Sequence, residues 1–240
     1  LSKKPVNSLS LEMLKDIKEN LNGLHEDKSV QGLIITSNVN KIFSAGLDIT
    51  EMYQPDEERL RTFWTTLQEV WMGLYGSRLA TAAAITGHAP AGGCLISMCC
   101  DYRVMNREEH FKIGLNETKL GIVAPQWFAD TMRNTIGQRE TEMALMAGTM
   151  YSPTEAASIR LVDEIVDADQ VESVARKKID ELVRIPAHAR HESKMRMREE
   201  CINRLAESQS QDTDKFVSFC MQPMIQKGLG AYMESLKKKK

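Results

Sequence analysis

The sequence predicts an α/β fold with a helical C-terminal region, and three observations carry that reading. Segments of strand and helix length alternate through the first two-thirds of the 240 residues. The last third reads as helix throughout. In the middle, the apolar run Leu79–Ile85, closed by Gly87, gives way at Gly92-Gly93 to a short, small-residue helical segment. Such alternation implies parallel strands joined by helical crossovers.

In chain order, Leu11, Leu14, Ile17, Leu21 and Leu24 fall at helical spacing, with Ser10 as a plausible N-cap. Gln31–Ser37, with Gly32–Thr36 at its centre, reads as a buried strand. After a loop holding Asn38 and Asn40, Phe43–Ile49 forms a small-residue turn, and Asp48 is placed to cap a short helix through Met52. Glu57–Tyr75 is a long helix whose stripe (Leu60, Phe63, Trp64, Leu67, Val70, Trp71, Leu74) reads as core. Strands follow at Leu79–Ile85, Asp101–Met105 and Phe111–Ile113, and Gly121–Pro125 is an apolar-walled loop. Helices are expected at Gln126–Asn134 and Gln138–Met146, then from Ser152-Pro153, a cap followed by a first-turn proline. Val162–Val166 is a short edge strand. Asp169–Val183, Ala187–Ala206 and Asp212–Leu236 read as three further helices. The nearest composition shift, around Val166–Val171, divides the chain into 1–166 and 167–240.

Composition bounds the function. A hydrophobic content of 42%, a charged content of 27% and a net charge of −2 fit an ordinary globular protein and give no broad attraction to nucleic acid. The basic run Lys237–Lys240 reads as a solvated tail. Five cysteines, an odd number without C-x-x-C spacing, read as reduced core residues. No apolar run reaches membrane-spanning length, and five scattered histidines offer no metal-ligand spacing. Leu1 leads into a turn with no strand before it, so it is not expected to be the biological start.

Three stretches carry possible chemistry. Two are turns, Ala45-Gly46-Leu47-Asp48 and Gly92-Gly93, where backbone N–H groups can face an oxygen that gains negative charge. The third is Glu117 in the otherwise uncharged Ile113-Gly-Leu-Asn-Glu, where apolar neighbours raise a carboxyl pKa toward that of a general base. The alternative readings are a packing turn for the glycines and a surface acid for Glu117. Cys94 at a helix start is a candidate nucleophile, but no His–Asp pair accompanies it and a buried structural cysteine is the better reading. His110, beside Glu108 and Glu109, reads as a surface residue. Lys194, Arg196 and Arg198 read as a solvated helix face, with CoA phosphates as the alternative. Phe216 and Phe219 read as helix-docking contacts, with acyl-chain cover as the alternative.

The blocks Ser44–Ile49, Pro90–Cys94, Cys100–Arg103, Gly114–Glu117 and Leu120–Pro125, in this order and spacing, resemble the crotonase (enoyl-CoA hydratase/isomerase) superfamily. The resemblance covers nearly the whole chain. It implies a spiral core of ββα turns with a C-terminal helical region that trimerises and covers the site. It also implies, for the isomerase branch, transfer of the double bond of 3-enoyl-CoA to trans-2-enoyl-CoA in the β-oxidation of unsaturated fatty acids. By the same resemblance, Glu117 is the catalytic carboxyl that takes a proton from C2 and returns it at C4. The N–H groups of Leu47 and Gly92 form the oxyanion hole, and Ala45, Gly46, Leu47, Asp48, Ile49 and Gly92 line the acyl-CoA site. No cofactor is implied beyond the CoA of the substrate, and no metal. A homotrimer in the mitochondrial matrix is implied.

Two departures bear on the reaction. Hydratases of the superfamily carry a second glutamate where this chain has Leu95, and leucine cannot activate water. Their glycine-rich loop is replaced here by Ala124-Pro-Gln-Trp127, in which Gln126 is expected to line the acyl pocket. Hydratase, a non-catalytic acyl-CoA-binding scaffold and a cysteine hydrolase remain as alternatives.

Overall fold

The computed structural model describes residues 1–237; Lys238–Lys240 of the basic tail lie outside the described residues. Ser10 accepts a hydrogen bond from the Met13 N–H and starts α1 (Leu11–Glu26), which buries Leu11, Leu14 and Leu21. Its partner is α2 (Glu57–Tyr75), capped by Asp56. Four parallel strands form the main sheet, in the order β1 (Gly32–Ile35), β2 (Ala80–Ile85), β4 (Tyr102–Asn106) and β6 (Glu164–Val166). A second, smaller pair joins β3 (Ala89–Pro90) to β5 (Ile113–Gly114), also in parallel.

β2 is buried on both faces, and its alternation divides the core in two. Ala80, Ala82 and Ala84 meet Val171, Ala175 and Ile179 of α7 (Val171–Leu182). Ala83 and Ile85 belong instead to the larger core, with the α2 stripe and α3 (Gly92–Cys99). Phe63, Trp64, Trp71 and Leu74 are at most 2% exposed. Each buried side chain of this size stabilises the fold by roughly 1.5–3 kcal/mol, so α2 is the main anchor of the layer beneath the site. α4 (Gln126–Ile136), α5 (Gln138–Ala147) and α6 (Pro153–Ser158) follow, the last with a capping box between Ser152 and Glu155.

The C-terminal helices depart from the sequence expectation. Instead of ending near Ala206, α8 runs unbroken over Ala187–Cys220, and the chain turns only before α9 (Pro223–Lys237). The polar stretch Glu207–Gln211 continues as helix because its neighbours bind α2. Asp212 accepts hydrogen bonds from Trp64 Nε1 (2.8 Å) and Gln68 Nε2 (2.7 Å). The break falls where Pro223 has no N–H to give and biases Gln222 against helix. The strand expected at Phe111–Ile113 is likewise only Ile113–Gly114.

Lys194 and Arg198 are not a solvated face. Lys194, 7% exposed at its side chain, pairs with Asp101 at 2.8 Å and donates to the Ser77 and Leu79 carbonyls. Arg198 also meets Asp101 (3.3 Å) and donates to the Tyr75 and Cys99 carbonyls. These contacts fasten α8 to the ends of α2, β2 and α3. Arg196 alone of the three is exposed.

Candidate active site

Three chain segments converge. The turn after Phe43 is held against the segment before α1, where the Leu9 N–H donates to the Gly46 carbonyl (2.8 Å) and the Asp48 N–H to the Leu9 carbonyl (3.1 Å). Gly46 takes φ +88°, a conformation a side chain resists. The Asp48 carboxylate accepts from the Thr50 N–H and hydroxyl, capping a 3-10 turn at Ile49–Glu51. Leu47 is left between these anchors with an N–H that meets no protein acceptor among the described residues.

The second segment is the start of α3. Ala91, at φ 49°, turns the chain from β3 into the helix and gives it no side-chain cap. The Gly92 N–H, first in the helix, therefore has no intrahelical partner. A Cβ built on Gly92 would lie 3.2 Å from the Leu47 nitrogen, and one built on Gly46 would lie 3.1 Å from the Gly92 nitrogen. The two turns touch, and their unpaired N–H groups are neighbours. Gly92→Ala is expected to wedge them apart, since its methyl meets Leu47 N, Leu47 Cδ2 and Leu9 Cδ1 at 3.0–3.3 Å. The expected loss in kcat is about 10²-fold, the scale of removing one oxyanion donor, with the far-UV circular dichroism unchanged.

The third segment follows β5. Glu117 opens a 3-10 turn (Glu117–Leu120) and is 9% exposed. Both carboxyl oxygens are buried without a hydrogen-bond partner. Burial pushes its pKa up to about 7, against a small opposing effect of its own backbone N–H. Such a carboxyl is poised to take and release a proton near neutrality.

These segments wall a cavity of about 120 Å³. Ala45, Leu47, Ile49, Pro90 and Ala91 come from the two turns, and Asn116, Glu117, Leu120, Ile122, Val123 and Pro125 from the third segment. Trp64, Phe128 and Phe216 close it with aromatic rings, and Tyr232 reaches it from α9. Two larger clefts, about 660 Å³ beside α1 and β1 and about 410 Å³ around Asp101, do not include Glu117. Of the three, the smaller cavity brings a buried, unpartnered carboxyl to the two turns, so it is the place for the chemistry.

Several sequence expectations change here. Gln126 does not line the cavity; it begins α4, is exposed, and donates to Asp130 (2.9 Å). Pro125 and Val123 line the cavity in its stead. Phe216 both docks its helix, stacked on Trp64 at 3.4 Å between centroids, and lines the cavity. Trp64 is likewise core and cavity wall. Phe219 packs on the core outside it. The Cys94 thiol is buried and pushed well up by that burial first and by Glu117 second, which fits a structural cysteine. His110 is half-exposed beside Glu108. Gly46 and Asp48 hold the turn through backbone and capping bonds. Asn116 and Tyr232 are the polar lining residues that sequence reasoning missed. Tyr232 has no local signal, because it arrives from a helix more than 100 residues away in the chain.

The chain belongs to the enoyl-CoA hydratase/isomerase family, whose model matches residues 1–239. Among curated relatives it is 48% identical to mitochondrial enoyl-CoA delta isomerase 1 of Mus musculus over 236 residues, 98% of this chain and 82% of the relative. It is 45% identical to the Homo sapiens protein of that name over 236 residues, 98% of this chain and 78% of the relative. Among solved structures it is similar to human mitochondrial delta3-delta2-enoyl-CoA isomerase, with a TM-score of 0.97 at 44% identity, covering 99% of this chain and 92% of that one.

Proposed function

We propose that this protein is a Δ3-Δ2-enoyl-CoA isomerase that works by a one-carboxyl proton shuttle. The observation that carries the reading is Glu117, a buried and unpartnered carboxyl with a pKa of about 7, facing a cavity shared with the Leu47 and Gly92 turns. The thioester oxygen is held by the two N–H groups. Glu117 takes a proton from C2, and the electron pair moves into the C1–C2 bond and onto the oxygen. When the charge returns, C2–C3 becomes the double bond, and C4 takes the proton back from Glu117. An apolar wall suits this chemistry, because it keeps water from the dienolate. Hydration needs a second acid to orient water. Leu95 supplies none, being fully buried in α3.

The substrate is acyl-CoA, no cofactor beyond it is invoked, and the compartment is the mitochondrion, which the names of the relatives support, with the matrix as the part of it proposed here. Region 167–240 serves as cover, which Phe216 and Tyr232 at the cavity wall support, and trimerisation through it is proposed on the family resemblance alone. Among the described residues no helix is long and apolar enough to cross a membrane.

An ultraviolet assay tests the reading. Supplied 3-enoyl-CoA is expected to gain the absorbance of the conjugated 2-enoyl thioester, and supplied trans-2-enoyl-CoA to keep it. Decay of the second identifies a hydratase. Inertness toward both, with CoA esters still bound, identifies a scaffold.

The pKa of Glu117 predicts opposite pH trends for activity and stability. The base must be ionised, so kcat/KM is expected to rise with an inflection near pH 7 and then level off. For stability, the folded pKa lies above the ordinary 4.5, so folding favours the protonated form. That contribution is complete below pH 4.5 and is lost as pH rises through about 7. At roughly 1.4 kcal/mol per unit, it amounts to about 3 kcal/mol. Denaturant melts of wild type and Glu117→Gln at pH 5 and 8 check it: the stability of wild type relative to the variant is expected to fall by about 2–3 kcal/mol across that interval.

A further inference from the structure

The cavity contains a polar side chain with no part in the scheme above. Among its described lining residues only Asn116, Glu117 and Tyr232 have polar side chains. The Asn116 Oδ1 is buried without a partner. Leaving the buried oxygen of a carboxamide idle costs free energy on the scale of a lost hydrogen bond. Natural interiors rarely carry that cost without a partner arriving from outside the protein.

Backbone pairing joins the segment that carries this amide to the one that leads into the Gly92 turn. β3 and β5 run parallel, with Ala89 opposite Ile113 and Pro90 opposite Gly114. The Ala91 N–H donates to the Gly114 carbonyl at 2.8 Å. The ladder ends at that pair, and two residues further along its own strand Asn116 stands in the cavity wall. The carboxamide and the two turns wall one cavity of only about 120 Å³, so an oxygen held at the turns shares its space with Asn116. A half-turn of the amide exchanges its oxygen and nitrogen, so the N–H donors can be presented there.

We propose that the Asn116 carboxamide is a third donor to the substrate's thioester oxygen, a side-chain complement to the Leu47 and Gly92 N–H groups. The proposal rests on the isomerase reading above. As the C2 proton passes to Glu117, negative charge builds on that oxygen and the Asn116 N–H···O bond strengthens. As C4 takes the proton back, the charge and the extra strength are lost together. Asn116 forms no covalent bond and exchanges no proton. A donor that acts mainly on the charged oxygen raises kcat and leaves KM nearly alone.

The test compares wild type with Asn116→Leu, similar in size and without a donor, and with Asn116→Ala. On 3-enoyl-CoA both variants are expected to lose about 10- to 10²-fold in kcat, with KM within about twofold. The second readout needs no turnover. A 3-ketoacyl-CoA is bound and its enolate, which absorbs in the near ultraviolet where the keto form does not, is titrated with pH. The apparent pKa of the bound ligand is expected to rise by about one to two units in the variants, the same factor as in kcat. The inflection assigned to Glu117 in kcat/KM is expected to stay in place. If that inflection moves and the bound enolate keeps its pKa, Asn116 acts through Glu117 and the proposal falls. It falls also if both variants keep kcat within about twofold. Should the leucine variant fail to fold by circular dichroism, the alanine variant decides. If wild type fails to isomerise at all, the isomerase reading fails, and the enolate titration still decides whether Asn116 meets the oxygen.

Discussion

Glu117→Gln is expected to lower kcat on 3-enoyl-CoA by about 10³- to 10⁴-fold, at the upper end of what one general acid–base group contributes. The size follows from the double duty of the carboxyl. The same group removes the C2 proton and delivers it to C4, and no second acid lines the cavity among the described residues to take over either step. Glutamine keeps the volume and the apolar surroundings, so the substrate still fits and KM is expected to change by less than about threefold. The N–H groups of Leu47 and Gly92 are untouched, which leaves the variant able to bind the thioester. The measurement is steady-state kinetics on both proteins, with a direct binding titration of a non-reacting acyl-CoA. Residual kcat within tenfold of wild type would show that another group moves the proton. A loss of binding equal to the loss of rate would show that Glu117 holds substrate rather than converting it.

Much of this site was legible in the sequence because its parts are local. Gly92-Gly93 after an apolar run marks a strand-to-helix turn, and Ser10, Asp48 and Ser152 announce the caps that the structure places there. Glu117 stands out as one acid in an apolar stretch. What escaped was whatever depends on distant packing. The polar run Glu207–Gln211 looks like a loop, yet tertiary bonds from Trp64 and Gln68 to Asp212 keep α8 continuous through it. Trp64 reads as core from its stripe and is core, but the stripe says nothing of the cavity its other edge faces. Tyr232 and Phe216 reach that cavity only because α8 and α9 fold back over it. Gln226 fixes α9 there, accepting from the Gln54 N–H and donating to the Met52 and Cys220 carbonyls. Lys194 and Arg198 look solvated because most of their neighbours on α8 are polar. Only the position of Asp101, nearly 100 residues earlier, explains why they are buried.

That buried charge cluster carries the largest stability effect expected in the molecule. Asp101 is 15% exposed at its side chain and is the carboxylate partner of both Lys194 and Arg198. It also accepts from the Thr81 N–H (3.0 Å), and its own N–H donates to the Thr81 carbonyl and hydroxyl. It thus joins β2, the end of α3 and the first half of α8. Asp101→Leu removes the negative charge and leaves Lys194 buried among carbonyls. Removing one partner of a buried ion pair costs on the order of 3–5 kcal/mol, mostly through the charge left behind. Burial already lowers the Lys194 pKa in the wild type, with Asp101 opposing the shift. Without Asp101 the lysine loses its proton more readily in the folded state than in the unfolded chain. Folding then releases a proton at alkaline pH, so the variant is expected to recover part of its deficit as pH rises from 7 toward 10. A double variant separates charge from shape. With Lys194→Met added, the more deeply buried of the two stranded charges is gone, only Arg198 remaining, and Asp101→Leu/Lys194→Met is expected to be more stable than Asp101→Leu alone by about 1–2 kcal/mol. Urea melts of wild type and the two variants at two pH values give both quantities. A cost below about 1 kcal/mol for Asp101→Leu would mean that the Ser77 and Leu79 carbonyls suffice to hold the ammonium, and that α8 is fastened by packing on α2 instead.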